Sequence, residues 1–531
     1  MRAKGFSIII LLVLLVGSFG VALNIQPVNA SSTIYIRADG TIDPPTANIN
    51  NVGNNLYIFT GNISDNIIVE RNNIILDGAG YTLQNPDALV LEEYFDLNPP
   101  SSDPLVELVT KNLPHSIGVL LFQVNDVTIK NMHIRGFPNS ILIGENSNNN
   151  IIYQNFFTTT KYPTYISSEF GGISSEFRGV FLNYSSNNRI YDNNFFGIRS
   201  AVYLNFSSQN TIYLNTIEEH WQGIWLVQSN NNIINRNTMM SETGSIGIVF
   251  EESSFNTISG NNISAWYRSV SLEGNNNTFM ENTMNYYLTP VVLSTSSFGI
   301  GVENNKFYHN NFFNGTERKG KIPVTGFDKG ALIFFDDGYP SGGNYWNDTV
   351  GVDHFSGVNQ DQPGSDGIID VAKSVGGTIF DSYPFLDPNG WVSSSQVVVP
   401  VGGGQEDITL QSNAVISDVV ATRNNVHCTV SGPSGQRAFV TIAVPLEANT
   451  TNLKIFVNGT KLVPPPFPII STNGTHYFVY FELMLSTHDI KIEFASLDWF
   501  SFLEEWLPYI ALITGISIVA LIIIYRKKYY K

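Results

Sequence analysis

The chain has 531 residues, enough to bury at least one large core, and its 45 acidic against 28 basic residues give a formal net charge of -17. That charge repels polyanions, so no nucleic acid is expected as a partner. Charged residues make up 14% of the chain, against roughly 25% in typical soluble domains. The single cysteine, Cys428, excludes an intramolecular disulfide. Packing and backbone hydrogen bonds must therefore hold the fold together.

Residues 1–30 have the layout of a secretory signal peptide. Arg2 and Lys4 precede an unbroken apolar run over residues 8–16, and the segment ends on small residues at Ala30. We expect cleavage after Ala30 and export of the remaining chain.

Residues 507–525 are predicted to form one transmembrane helix. The stretch carries no charge and is long enough to cross roughly 30 Å of hydrocarbon. A buried core helix is the alternative, but core helices seldom lack polar positions for so long. Residues 526–531 are mostly basic, and Trp506 and Tyr525 lie where interfacial aromatic residues usually sit. The expected localisation is the cell membrane, with the N-terminal body extracellular and the C-terminal tail cytoplasmic.

Internal repetition predicts the fold. The pattern Asn-x-(Ile/Phe)-x-x-Asn begins at Asn150, Asn188, Asn210, Asn232, Asn256, Asn277 and Asn305. Successive starts differ by 38, 22, 22, 24, 21 and 28 residues. A period near 22 is too short for a helical-pair repeat, which needs about 33 residues, and the repeats are rich in β-branched and aromatic residues. Each repeat is therefore predicted to be one coil of a β-solenoid.

A second short strand precedes the repeats from Asn188 onwards. Its copies read GVFLN, AVYLN, GIWLV, GIVFE, SVSLE and PVVLS, with apolar residues at positions two and four, as a strand with one buried face requires. The residues predicted to stack inside are Val180, Val202, Ile224, Ile248, Val270 and Val291, next to Leu182, Leu204, Leu226, Phe250, Leu272 and Leu293.

The second Asn of each repeat is predicted to form a structural ladder. Asn tolerates the left-handed backbone of a tight turn, and stacked amides can hydrogen-bond between coils at a spacing of roughly 4.8 Å. An inward-facing column cannot meet a ligand. The ladder residues are Asn155, Asn193, Asn215, Asn237, Asn261, Asn282 and Asn310.

Four parts of the sequence carry a resemblance to known proteins. They are the opening STIYIRADGTIDPP, the first coil NNIILDGAGYTLQ, the Asn-rich repeats, and the closing GGNYWNDTVGVDHFSGVNQDQPGSDGIID with DSYPF. They resemble archaeal cell-surface proteins with NosD-type repeats, which belong to the pectin-lyase-like superfamily and are often grouped as carbohydrate-binding and sugar-hydrolase domains. The resemblance covers most of residues 33–386. It implies an all-β, right-handed parallel β-helix over residues 31–340, with insertions near 86–116 and 158–178, and a closing Gly/Asp-rich module over residues 341–390.

The remaining chain is predicted to hold one more domain. Residues 391–404, with a Val-rich run followed by glycines, are interpreted as a linker. Alternating strands over residues 405–496 indicate a small β-sandwich. This segment is similar to the membrane-proximal domains of the same archaeal proteins.

Catalysis is not settled by the resemblance, because this fold carries lyases, hydrolases and inert spikes alike. No Gly-His-Gly motif of the polygalacturonase type occurs, and Asp336 and Asp337 lie beyond the repeats. The best catalytic candidates are Glu251, Glu252 and Glu273. Glu273 aligns with Glu251 when positions are counted from the strand, and with Glu252 when they are counted back from the Asn repeat. Either alignment predicts two carboxylates roughly 5 Å apart, near the spacing of a retaining glycosidase. Solvated turn residues are the alternative.

Metal ligands are sparse. NosD-type proteins suggest copper delivery, but Met239 and Met240 are the only adjacent methionines, so soft-ligand chemistry is not supported. The histidines are scattered, at His115, His133, His220, His309, His354, His427, His476 and His488. Calcium is the candidate cofactor, because Asp361, Asp366 and Asp370 lie close together in a Gly-rich loop that could supply carbonyl oxygens. The alternative is that these residues form a solvated turn.

An aromatic strip is the candidate glycan-binding face. The outward third position of the preceding strands holds, in consecutive coils, Phe181, Tyr203, Trp225, Val249 and Ser271. Three aromatic side chains in one column form a strip about 10 Å long that can stack on sugar rings. Two alternatives stay open: aromatic residues simply suit strands, or the insertion over residues 162–177 folds over them.

Export makes glycosylation of some Asn-x-Ser/Thr sites expected, and glycans on Asn183 and Asn205 would cover the strip. The sites are Asn62, Asn183, Asn205, Asn262, Asn276, Asn314, Asn347, Asn449, Asn458 and Asn473.

Two functions fit the sequence, and one more is carried by the resemblance. The first is a non-catalytic surface module that binds a polysaccharide or a neighbouring envelope protein, since solenoids offer long repetitive faces. The second is a polysaccharide lyase or glycoside hydrolase. The third is a copper-related periplasmic protein like NosD. The first is the expected function.

Overall fold

The protein is described by a computed structural model over residues 33–85, 116–159, 177–241, 245–265, 267–286, 289–293, 302–314, 324–325, 332–401, 404–422, 425–432, 437–445, 448–462, 469–472, 475–484 and 486–496. The predicted signal peptide, transmembrane helix and basic tail lie outside these residues, as does most of both predicted insertions. Among the residues described, no helix is long and apolar enough to span a membrane. The chain divides into two compact units after Gly390.

The first unit is a parallel β-helix whose coils each contribute one strand to three sheets. The first sheet contains, in spatial order, Ile42–Asp43, Ile34–Ile36, Ile67–Val69, Ile117–Leu121, Asn139–Ile143, Arg178–Asn183, Ser200–Asn205, Gln222–Val227, Ile246–Glu251, Arg268–Leu272, Thr289–Leu293 and Val324–Thr325. The second sheet contains Ile49–Val52, Leu56–Phe59, Ile75–Asp77, Thr128–Lys130, Ile151–Tyr153, Arg189–Tyr191, Thr211–Tyr213, Ile233–Asn235, Thr257–Ser259, Thr278–Met280, Asn305–Tyr308 and Ile333–Phe334. The third sheet contains Thr82–Gln84, His133–Arg135, Phe156–Thr158, Asn194–Phe196, Thr216–Glu218, Thr238–Ser241, Asn262–Ala265, Thr283–Tyr286, Asn311–Asn314 and Tyr345–Trp346.

The predicted inward columns of the first sheet are confirmed. Val180, Val202 and Ile224 are register partners in consecutive strands, and every residue of both predicted columns is buried. Inward side chains of the other two sheets complete the core, including the stacked rings of Phe157 and Phe195 with centroids 4.5 Å apart. Burial of one whole face in each strand sets the register, because a one-residue slip would turn the apolar residues outward.

Small residues lie just before the inward apolar column in the first sheet. A Cβ on Gly179 would lie 2.4 Å from the Phe195 ring and 2.5 Å from the Ala201 carbonyl oxygen. The sequence signal is that each strand copy opens with Gly, Ala, Ser or Pro. This position therefore needs a small side chain for the coils to approach each other.

The predicted Asn ladder residues lie in one buried column. Asn215 shows the pattern: its backbone N–H and its Nδ2 both donate to Asn237 Oδ1, at 3.0 and 2.9 Å. The first Asn of each repeat forms a second buried column of the same kind, in which the Asn188 N–H donates to Asn210 Oδ1 at 2.9 Å. A column of buried serines runs beside them, at Ser147, Ser185, Ser207, Ser229 and Ser253.

The closing module over residues 341–390 continues the ladder of the β-helix. The strand Tyr345–Trp346 pairs with Asn311–Asn314, and Asn344 Oδ1 accepts hydrogen bonds from Asn310, so the closing module supplies the last ladder amide. Asp381 then ends the column: its Oδ2 accepts from the Asn344 N–H and the Trp346 Nε1–H, both at 2.8 Å. Two short hairpins complete the module, Phe355–Ser356 with Gln362–Pro363 and Lys373–Gly376 with Ile379–Asp381.

The second unit consists of two five-stranded antiparallel sheets that share one hydrophobic core. One sheet contains Ser393–Val401, Gly404–Ser412, Arg437–Pro445, His476–Met484 and Ile469–Thr472. The other contains Val415–Thr422, Asn425–Ser431, Thr487–Ser496, Ala448–Val457 and Thr460–Lys461. Cys428 is buried in this core, and burial raises the pKa of its thiol to about 12.

The predicted linker over residues 391–404 is wrong. Ser393–Val401 is a strand that pairs along its whole length with Gly404–Ser412. The Val-rich run that suggested a boundary has a high strand propensity, and the glycines separate two strands of one hairpin. The sandwich therefore begins at Ser393.

Candidate functional site

Three glutamates lie together where the strands of the first sheet end. Glu251 is the last residue of its strand and is the register partner of Val227 in the preceding coil. The Glu273 N–H donates to the Phe250 carbonyl at 3.1 Å, which places Glu273 one coil beyond Glu251. Glu252 follows in the turn with φ 48°. We call Glu251, Glu252 and Glu273 the carboxylate cluster.

The carboxylate cluster is electrostatically coupled. Burial raises the pKa of Glu251; the Trp225 indole N–H lowers it, and the charges of Glu273 and Glu252 raise it again, with a net upward shift. Burial and the charge of Glu252 also raise the pKa of Glu273. Glu252 accepts a hydrogen bond from Gln228 Nε2 at 2.7 Å. The cluster therefore holds carboxyl groups that take up a proton more readily than solvated ones.

Trp225 connects the cluster to the outer face of the sheet. It is half-buried, and its ring lies 4.9 Å from the Tyr203 ring at an interplanar angle of 54°. The indole nitrogen is buried, and no residue described meets hydrogen-bond geometry with it. Glu251 is nevertheless close enough for the indole N–H to lower its pKa.

The predicted aromatic strip is wrong for two of its three members. Phe181 and Tyr203 are only 4% and 5% exposed. The buried guanidinium of Arg178 lies over both rings, 5.0 and 4.7 Å from their centroids, in cation–π geometry. Arg178 precedes the motif from which the strip was predicted, so the pattern missed it. Of the three, Trp225 alone keeps a partly accessible ring.

The cluster has the groups that acid–base chemistry on a sugar requires. Adjacent coils place the backbones of Glu251 and Glu273 roughly 4.8 Å apart, a spacing that allows their carboxyl groups to approach the separation of about 5 to 5.5 Å found in retaining glycosidases. In that chemistry one carboxyl protonates the leaving oxygen while the other carboxylate attacks the sugar. The raised pKa of Glu251 suits the first role and equally suits hydrogen bonding to hydroxyl groups.

The predicted calcium ligands do not converge. Asp370 accepts from the His354 and Phe355 N–H groups, Asp361 accepts from the neighbouring Gln362 side chain, and Asp366 from Gln360. Within the described ranges, no group of three His, Cys, Asp or Glu residues is placed to hold a metal ion. Each carboxylate is instead used by its own loop.

Asp353, which the sequence did not single out, organises that loop. It accepts hydrogen bonds from Ser365 Oγ at 2.6 Å and from the Gly367 N–H at 2.7 Å. Burial opposes its ionisation, but these bonds outweigh burial and lower the pKa of Asp353. The loop is therefore held by hydrogen bonds among its own residues.

Two buried histidines are held neutral. Burial lowers the pKa of His220 and of His309 to about 4. His309 Nε2 lies 2.7 Å from the Ser341 carbonyl in the closing module.

The predicted glycosylation sites differ in accessibility. Asn62, Asn262, Asn347 and Asn458 are exposed, and Asn276 is half-buried. Asn183 and Asn205 are also half-buried, and Asn205 Nδ2 donates to Asn183 Oδ1 at 2.8 Å. The side chains of Asn314, Asn449 and Asn473 lie outside those that are described.

A family model matches the solenoid. Residues 101–285 and 169–351 match the family described as periplasmic copper-binding protein (NosD). The matched part of the β-helix is similar to NosD-type repeats. No curated protein matches the chain.

Solved structures that are similar to this chain have low sequence identity to it. Endopolygalacturonase I from Stereum purpureum is 12% identical, with 52% of this chain and 90% of that chain covered and a TM-score of 0.34. A mutant tailspike protein of E. coli bacteriophage HK620 is 9% identical, with 82% and 81% covered and a TM-score of 0.36. A mutant of the periplasmic alginate epimerase AlgG is 12% identical, with 51% and 59% covered and a TM-score of 0.31, so the chain spans about three fifths of that enzyme. No argument about function follows from these likenesses.

Proposed function

We propose that the NosD-type β-helix is a surface module that binds a glycan at the carboxylate cluster and Trp225, without catalysis. The observation that carries the proposal is the half-buried Trp225 ring beside carboxyl groups whose pKa values are raised. Aromatic rings pack on the apolar C–H face of a sugar, and carboxyl oxygens accept hydrogen bonds from its hydroxyl groups. The buried indole N–H of Trp225 faces Glu251 and favours the ionised form of that carboxyl group, which accepts hydrogen bonds.

Retention on immobilised glycans tests the proposal. The full-length chain would be applied to cellulose, chitin and polygalacturonate, and the Trp225→Ala variant should lose retention while its melting temperature stays close to that of the wild type. Trp221→Ala is the matched control, because Trp221 is an exposed tryptophan just before the strand that contains Trp225. Equal retention of the wild type and Trp225→Ala would contradict the proposal.

Glycoside hydrolysis is the second candidate function. It is favoured by the positions of Glu251 and Glu273 in adjacent coils and by their raised pKa values. If the site is catalytic, wild-type chain should release reducing ends from a glycan that it binds, and Glu251→Gln or Glu273→Gln should lower the rate by 100-fold or more, in the range of about 10² to 10⁴ for general acid–base catalysis. Unsaturated ends would instead indicate a lyase. Binding without either product supports the non-catalytic module.

Copper handling receives no support from the described residues. The matched family is described as copper-binding, but the described residues hold no cluster of three His, Cys, Asp or Glu. Soft-ligand copper sites need converging imidazole, thiolate or thioether groups. The described residues therefore do not fit a copper site.

We also propose that the chain is exported and anchored by residues 507–525, with the glycan-binding unit outside the cell. The charge-free stretch, the basic residues after it and the signal-like residues 1–30 support this arrangement. Protease added to intact cells should release a fragment that lacks residues 526–531. Digestion of that tail while the repeats stay intact would reverse the topology.

A further inference from the structure

We propose that a neutral glycan chain packs against exposed aromatic residues in the turns that follow the first-sheet strands. These residues are Tyr184, Phe206 and Phe255, which we call the aromatic ridge. The inference rests on the proposed glycan-binding function and names both the contact surface and the class of sugar. It adds aromatic contacts to that of Trp225 and replaces the two buried members of the predicted strip.

The ridge lies at turn positions that suit other residue types. Tyr184 and Phe206 hold equivalent positions in successive coils, since their N–H groups donate to the Asn205 and Val227 carbonyls of the following coil, both at 3.0 Å. Their φ angles are 53° and 48°, in the left-handed region that Asn, Asp and Gly adopt most readily. Asn146 fills the same position one coil earlier, with φ 57°.

Phe255 repeats this choice in a neighbouring column of the same turns. Its φ angle is 59°, and the preceding coils place Asn187, Gln209 and Asn231 at this column, also with positive φ. Three aromatic residues thus occupy backbone positions where the neighbouring coils carry amides. Left-handed backbone at bulky residues is concentrated at functional sites.

Burial does not account for these rings. Tyr184, Phe206 and Phe255 are 49%, 40% and 57% exposed. The Tyr184 and Phe206 rings stack on each other with centroids 4.7 Å apart and an interplanar angle of 4°. Stacked in this way they present a continuous apolar edge to solvent, one coil long, on which C–H groups of a sugar can pack.

The next two coils in the same column place polar groups directly beside the rings. Gln228 and Glu252 follow Phe206 there, and Gln228 Nε2 donates to Glu252 Oε2 at 2.7 Å. Glu252 belongs to the carboxylate cluster, so the ridge and the cluster form one continuous surface. The apolar edge of the rings is thus followed, along the β-helix axis, by groups that accept hydrogen bonds from hydroxyl groups. A sugar chain that runs along this axis would meet both.

Charge selects the class of sugar. The cluster is acidic and the chain carries a net charge of -17, so uronate or sulfated polymers are repelled. Carboxylates accept hydrogen bonds from hydroxyl and N-acetyl groups without such repulsion. The ligand is therefore a neutral or N-acetylated glycan.

The Tyr184→Gln/Phe206→Gln variant tests the ridge. Glutamine is the residue that the same column carries at Gln228, so the turn should accept it. Affinity of the full-length chain for neutral and N-acetylated oligosaccharides on an array should fall by about tenfold or more. The melting temperature should stay the same or rise, because the left-handed backbone then carries a less bulky side chain. Phe156→Gln, at an exposed phenylalanine of the third sheet, is the control and should bind as the wild type does.

The outcomes separate the two proposals. Unchanged affinity of the double variant, with loss in Trp225→Ala, overturns the ridge and leaves the carboxylate cluster as the binding site. Preferential binding of polygalacturonate overturns the assignment to neutral glycans. A lower melting temperature in the double variant would show that the rings serve folding, which also overturns the ridge. Absence of wild-type binding to every sugar on the array overturns the proposed function itself.

Discussion

The inside and the outside of the β-helix follow different rules. Inside, the second Asn column keeps one residue type from Asn155 to Asn344, and each amide bonds to the next. Outside, the column that contains Trp225 changes from Phe181 through Tyr203 to Val249 within four coils. An inner side chain must match its own copy above and below, whereas an outer one need only tolerate its neighbours. The inner columns therefore encode the fold, and the outer columns are free to encode binding.

The largest predicted effect is on the inner ladder. Asn237→Ala removes the acceptor of two Asn215 donors and the donor to the Ile212 carbonyl, all in a fully buried site. Each buried polar group left unpaired costs about 1 to 3 kcal/mol, so we expect the unfolding free energy to fall by at least that amount. Urea unfolding of the full-length chain measures this fall.

Asn194→Ala provides the comparison for the ladder. Asn194 is exposed on the third sheet, two repeats away, and the same substitution there should leave the unfolding free energy nearly unchanged. Equal effects of the two substitutions would mean that the buried amides contribute no more to the unfolding free energy than surface amides do. That result would contradict the difference between the inside and the outside of the β-helix.

The next effect concerns the glycine column. Gly179→Ala places a Cβ 2.4 Å from the Phe195 ring and 2.5 Å from a backbone carbonyl of the next coil, and we expect a loss of about 1 to 3 kcal/mol from overpacking. Gly61→Ala is the control, because its Cβ would lie 3.2 Å from the flexible, exposed Asn48 amide. Calorimetry that gave the two variants the same melting temperature would show that the coils can move apart at little cost.

The end of the ladder predicts a pH dependence. Burial raises the pKa of Asp381 from its ordinary value of 3.8 to about 7, although hydrogen bonds from Trp346 and Asn344 oppose the shift. A raised pKa means that the folded state binds the proton more tightly than the unfolded chain does. The stability from this group is fully present below about pH 4 and is lost as the pH rises towards 7.

Asp381→Asn tests this dependence, because asparagine stays neutral throughout. The wild type should lose stability between about pH 4 and pH 7 relative to the variant, as measured by urea unfolding at each pH. Asp361→Asn, in an exposed loop of the closing module, should keep the wild-type slope. Identical slopes for the wild type and Asp381→Asn would show that the ladder ends on a carboxylate with an ordinary pKa.

The sequence predicts the inside of the molecule far better than the outside. Repeats at a fixed period give the strand register, the inward columns and the Asn ladder, because each buried position imposes the same demand in every coil. The burial of Phe181 and Tyr203 by Arg178 was not predicted, because Arg178 occurs once and is not part of the repeat. Alignment of the repeats predicts neighbouring glutamates, but the coupling of Glu251 to Trp225 depends on side-chain directions that strand patterns do not specify. The hairpin that begins at Ser393 was not predicted, because a Val-rich strand cannot be distinguished from a Val-rich linker until its partner strand is known.

The smallest predicted effect on folding is that of Trp225→Ala. The side chain is half-buried and outward-facing, so truncation should change the unfolding free energy by much less than Asn237→Ala does. Circular dichroism melting of the two variants side by side measures the difference. A drop for Trp225→Ala as large as that for Asn237→Ala would place the indole in the folding core.

The most direct test of the division between inside and outside measures glycan retention and unfolding on the same two proteins. Full-length Trp225→Ala and Asn237→Ala would each be titrated with urea and then passed, under conditions where both are folded, over the glycan that retains the wild type. We predict that Trp225→Ala keeps its stability and loses retention, while Asn237→Ala loses stability and keeps retention. Loss of both properties in both variants would contradict the account, because stability and binding would then depend on the same residues.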